Sequence, residues 1–108
     1  MTATNDKRES FAEILNGDKP VLVDFTAAWC GPCKMMKPVL EQLRKQLGDT
    51  VRILKIDIDK SPAAANTYGV QSVPTLILFQ KGKLLWRQSG VLQASQLKTI
   101  IQQYTTPS

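Results

Sequence analysis

The sequence predicts an α/β fold with a mixed sheet and helices on both of its faces. Three observations carry this. Apolar runs of strand length (Val21 to Phe25, Val51 to Ile58 and Thr75 to Phe79) alternate with stretches of helical periodicity. The segment Gln80-Lys81-Gly82-Lys83 between two such runs is a hairpin signal. The chain closes on an amphipathic helix. Strand–helix–strand units followed by a hairpin give a mixed, layered sheet, and its two crossovers are expected to be right-handed.

Each element has a local cause. Ser10 to Asn16 reads as a helix opened by a Ser10/Glu13 capping-box pattern and ended by Gly17. Val21 to Phe25, interrupted only by Asp24, reads as a strand buried on both faces. Met36, Val39, Leu40, Leu43 and Leu47 mark a helix from about Gly31 to Leu47, which Pro38 is expected to kink. Val51 to Ile58 is a second strand, and Ser61-Pro62 starts a short helix to Tyr68. Thr75 to Phe79 and Leu84 to Gln88 form the hairpin. Leu97, Ile100, Ile101 and Tyr104 line one face of a helix from Ser95 to Tyr104.

Composition narrows the chemistry. The 108 residues fit one small domain, read as residues 10–108 behind a polar segment, 1–9. With no histidine there is no Ser-His-Asp triad, no Cys-His pair and no imidazole metal site. Two cysteines provide neither a four-cysteine zinc site nor a multi-bridge secreted framework. The start has no apolar signal-peptide core, and no run approaches the roughly 20 residues of a membrane-spanning helix. The expected location is therefore the cytoplasm, with no membrane association. Net charge is +5, Asp59 is the last acidic residue, and beyond it basic residues including Lys81, Lys83, Arg87 and Lys98 have no acid to oppose them. These make no dense patch with interleaved aromatics, so a solvated surface is expected rather than a nucleic-acid site.

The chemistry concentrates in Trp29-Cys30-Gly31-Pro32-Cys33-Lys34, between a buried strand and a long helix. In such sheets a strand-to-helix junction faces the ligand crevice. Unpaired N–H groups and the positive dipole end at a helix N-terminus stabilise a thiolate, the nucleophilic form of cysteine. Proline loses no needed hydrogen bond in the first turn. The spacing puts Cys33 one turn below Cys30, so the sulfurs can meet. A purely structural bridge closing so short a loop would add little stability. Redox chemistry leads; a structural disulfide and a half metal site shared between two chains are the alternatives.

Together, Val21-Leu22-Val23-Asp24-Phe25, Trp29-Cys30-Gly31-Pro32-Cys33-Lys34, Val73-Pro74-Thr75 and Gly90 resemble the thioredoxin family, over about Ser10 to Tyr104. The resemblance implies the thioredoxin fold, with about four or five strands. It implies a protein-disulfide reductase that binds no cofactor, works through a Cys30–Cys33 redox disulfide, and is re-reduced by a thioredoxin reductase at the expense of NADPH. Cys30, expected nearer the solvent, attacks the target disulfide; Cys33, deeper, resolves the mixed disulfide. Asp24, the one charge in its apolar strand, is expected to have a raised pKa and to take the Cys33 proton. Lys55 matches the lysine beside that acid, though an ordinary solvent-facing lysine explains it equally well. Pro74 matches the cis-proline facing the cysteines, where backbone can pair with a bound peptide. Trp29, Gly31, Pro32, Val73, Pro74, Gly90 and Val91 map to the apolar substrate face. Met35 and Met36 read as core filling.

The sequence departs from the family pattern in two places. Residues before Ser10 lack the aliphatic residues of the usual first strand, which is therefore expected to be absent or weakly paired. Thr26 stands where a second tryptophan is common and Ala28 where an acid is common, which makes the rim less negative and favours acidic partners. Gly-Pro between the cysteines argues against an oxidase or isomerase, which usually carries histidine there. The intact cysteine pair, buried acid and Val-Pro bend argue against a binding module that merely borrows the fold. Pro74 is expected to obstruct a cluster-bridged dimer, and the expected state is a monomer.

Overall fold

The computed structural model describes residues 10–106. The expectations for residues 1–9, including the missing first strand, fall outside it. In chain order the elements are α1 (Phe11–Asn16), β1 (Val21–Thr26), α2 (Gly31–Lys34), α3 (Met36–Leu47), β2 (Arg52–Asp57), α4 (Pro62–Thr67), β3 (Thr75–Gln80), β4 (Lys83–Ser89) and α5 (Ala94–Tyr104). The four strands are ordered β2-β1-β3-β4. β1 pairs parallel with β2 and antiparallel with β3, and β4 returns antiparallel beside β3.

Side-chain alternation divides the core between the two sheet faces. Leu22, Leu76 and Leu78 pack against Met36, Leu40 and Leu43 of α3 and Leu97 and Ile101 of α5. Val21, Val23, Phe25, Ile77 and Phe79 face the other way, against α1 and α4. Tyr68 extends that second core, with its ring 5.1 Å from Phe79 and 6.2 Å from Phe11, both edge-on. Because β1 and β3 are covered on both faces, all their residues are buried.

The local signals act as the residues suggest. The Ser10 and Glu13 side chains cap each other's backbone N–H groups at 3.1 and 2.9 Å. The hairpin turns on Lys81 and Gly82, whose φ values of +55° and +78° belong to the turn that matches strand twist. Gly82 also donates to the Leu15 carbonyl, docking the turn on the end of α1.

Two expectations are corrected. The helix read from Gly31 to Leu47 is interrupted at Met35. Pro38 has no N–H for the Lys34 carbonyl, and its ring crowds that carbonyl, so the break falls one turn before the proline. Met35 instead donates to Pro32, closing a tighter turn. Second, only the β1–β2 crossover joins parallel strands. The chain passes over β1 between β2 and β3, but the six residues of α4 rise only about 9 Å against about 20 Å for the six of β2, so it does not run back along the strands. β3 consequently starts beside the end of β1, with Phe25 opposite Thr75. That pairing brings Pro74 to the junction where β1 leads into α2.

Candidate active site

The β1–α2 junction is a tight turn in which the Cys30 N–H donates to the Ala27 carbonyl at 3.1 Å. Cys30 then caps α2: the Cys33 N–H donates to Cys30 Sγ at 3.1 Å. The two cysteines form a disulfide across a Cα–Cα distance of 5.3 Å. They pack in a small cluster with Ala27, with Ile58 and Val73 against it. The Val73 carbonyl oxygen lies 3.6 Å from Cys30 Sγ. The Val73–Pro74 bond is cis.

Cys30 is not nearer the solvent in this disulfide-bonded state: it is 3% exposed and Cys33 4%. Val73 covers Cys30 from the opposite loop, a contact that sequence spacing does not reveal. Gly31 and Pro32 are exposed over the bridge. Trp29 is 69% exposed, with its indole N–H donating to Asp59 Oδ2 at 2.8 Å. Asp59 is held in turn by a local bond from its own N–H to Asp57 Oδ1 at 2.8 Å. The sequence reading missed this support; an acid just beyond the end of a strand was the available signal.

Asp24 is 1% exposed, and neither carboxylate oxygen has a hydrogen-bond partner among the described residues. Loss of hydration pushes its pKa from 3.8 up to about 6, and the positive charge of Lys55 partly opposes that rise. Lys55 is directly opposite Asp24 in the β1–β2 ladder and is itself exposed. A cleft of about 200 Å³ opens beside Cys33, lined by Thr26, Ala27, Ala28, Lys34, Lys55 and Asp57. The small side chains of Thr26 and Ala28 form part of its wall.

Gly90 has φ +100°, a conformation open to glycine, and its N–H donates to the Pro74 carbonyl at 2.8 Å. Val91 packs against the α3/α5 core rather than within the cysteine cluster. Met36 fills that core, whereas Met35 is 62% exposed because the helix break turns it outward, so it is not core filling. Trp86 lies on β4, away from the bridge. Among the described residues no three His, Cys, Asp or Glu side chains converge as a metal site, and no helix is long and apolar enough to cross a membrane.

A helix-capping disulfide at the end of a central strand that itself carries a buried carboxyl group defines a thiol-disulfide oxidoreductase. The thioredoxin family model matches residues 2–103. A thioredoxin-like protein of Synechocystis is 55% identical over 89 residues, covering 82% of this chain and 85% of that one. Thioredoxin of Alicyclobacillus acidocaldarius is 45% identical over 98 residues, covering 91% and 90%. Among solved structures, a mutant thioredoxin from Halobacterium salinarum superposes with a TM-score of 0.76 at 41% identity, covering 88% of this chain and 81% of that one. The chain belongs to the thioredoxin family, whose general activity is disulfide reduction through the paired cysteines.

Proposed function

We propose that this chain is a protein-disulfide reductase in which Cys30 is the attacking thiol, Cys33 the resolving thiol and Asp24 the proton acceptor. The Cys30 thiolate attacks one sulfur of a target disulfide; a new S–S bond forms and the other target sulfur leaves as a thiolate. Cys33 gives its proton to the Asp24 carboxylate and attacks Cys30 Sγ. The mixed disulfide breaks, the second target sulfur leaves, and the Cys30–Cys33 bridge forms. The target gains two electrons and the cysteine pair loses them. A thioredoxin reductase drawing on NADPH restores the dithiol.

The observation that carries this reading is the placement of Cys30 Sγ. It receives the Cys33 N–H at 3.1 Å and lies against the loop carbonyl of Val73. A donor aimed at the sulfur favours its thiolate. The Val73 N–H has no acceptor among the described residues, which suits pairing with a target backbone. Trp29, Pro32 and Val73 supply apolar contact around the sulfur, Gly31 permits close approach, and Gly90 and Val91 extend that face. The chain acts as a monomer in the cytoplasm on disulfide-containing proteins.

Trapping tests the two-step assignment. Cys33→Ser should accumulate mixed disulfides with target proteins, visible as reductant-sensitive bands, and Cys30→Ser should abolish insulin reduction. If Cys33→Ser captures nothing where the parent turns over, the order of attack is wrong.

A further inference from the structure

Between α4 and β3 the chain forms neither helix nor strand, yet this segment carries Val73 to the disulfide. It is held from one side by the edge strand. The Arg87 guanidinium of β4 donates to the carbonyls of Tyr68 and Gly69, where the segment starts. Two residues along β4 on the same face, the Ser89 hydroxyl lies 3.2 Å from that of Ser72 and 2.9 Å from that of Thr75. Thr75 donates its only hydroxyl proton to the Ser72 carbonyl at 2.7 Å. Proton counting then fixes the directions. Ser89 donates to Thr75, and Ser72 donates to Ser89. The three bonds leave Ser72 and return to it, with every hydroxyl proton used.

We propose that Arg87 and Ser89 are positioning residues for target recognition, fixing residues 69–74 so that Val73 presents its backbone to a bound peptide beside Cys30. Neither side chain belongs to the cysteine cluster, so their effect passes through the segment. Both are exposed, so their loss leaves the core intact. A target that pairs with the Val73 backbone requires this placement, whereas a small disulfide that touches only the sulfurs does not.

The inference rests on the reductase reading, so the test uses two substrates. Reduced parent, Ser89→Ala, Arg87→Met and Ser89→Thr are each mixed with insulin and with hydroxyethyl disulfide. For both loss variants the half-saturating insulin concentration should rise about fivefold, the effect of one net hydrogen bond. The maximal rate and the rate with the small disulfide should stay within about twofold of the parent. Ser89→Thr, which keeps the hydroxyl, should match the parent. Unchanged insulin kinetics in Ser89→Ala and Arg87→Met would overturn the positioning role, as would an equal loss toward both disulfides. A parent that reduces the small disulfide but not insulin sinks the reductase reading itself.

Discussion

Asp24 is a carboxyl group whose ionised form is opposed by its surroundings. Its pKa of about 6 against 3.8 in the unfolded chain means the folded state binds more protons between those values. Stability from this group is therefore full below about pH 4 and is lost as pH rises through about 6, a difference of roughly 3 kcal/mol. Asp24→Asn should thus stabilise the protein at pH 7 by about 1–3 kcal/mol, the buried amide offsetting part of the gain, and by far less at pH 4. Denaturant melts at the two pH values check this. In single-turnover kinetics the parent's resolving step should accelerate with pH through about 6, and the variant should lack that rise. Matching profiles would leave Asp24 a structural residue. This acid was legible from sequence because it alone interrupts an apolar strand. The equal cover of Cys30 and Cys33 was not, because Val73 supplies it from 43 residues away in the chain.

At the scale of elements, the strands and caps were readable because each follows from nearby residues: apolar runs, the Ser10/Glu13 pair, the Lys81-Gly82 turn. The direction of β3 was not, since antiparallel pairing with β1 follows from the length of α4 and the path of the loop after it. Pro38 announced a distortion, but the affected carbonyl belongs to Lys34, which moved the break to Met35. Another long-range feature is the clip at Gln80, which is 4% exposed. Its amide donates to the carbonyls of Asp18 at 2.8 Å and Thr106 at 2.7 Å, and accepts from the Thr106 N–H at 3.0 Å. It ties the entry to β1 and the exit from α5 to the end of β3. Gln80→Ala should cost about 2 kcal/mol and lower Tm by roughly 10 °C in a thermal melt. An unchanged Tm would mean the clip contributes no stability.

For the whole molecule, a sheet covered on both faces holds a reactive bridge at one end, and the surface around it determines which partners approach. The cleft beside Cys33 presents Lys34 and Lys55 against Asp57, with Ala28 at its wall. With a net charge of +5, the molecule should meet acidic targets faster at low salt. Ala28→Glu should slow reduction of acidic targets and weaken its salt dependence; unchanged rates across ionic strength would remove charge from the account of target choice. The chemistry itself is tested most directly by the reduction potential of the Cys30–Cys33 pair, equilibrated in dithiothreitol or glutathione buffer and read by thiol alkylation. A reductase should equilibrate near the thioredoxin value of about −270 mV. A value near −180 mV, where disulfide isomerases work, would correspond to a dithiol form stabilised by roughly 4 kcal/mol more and would contradict the reductase assignment.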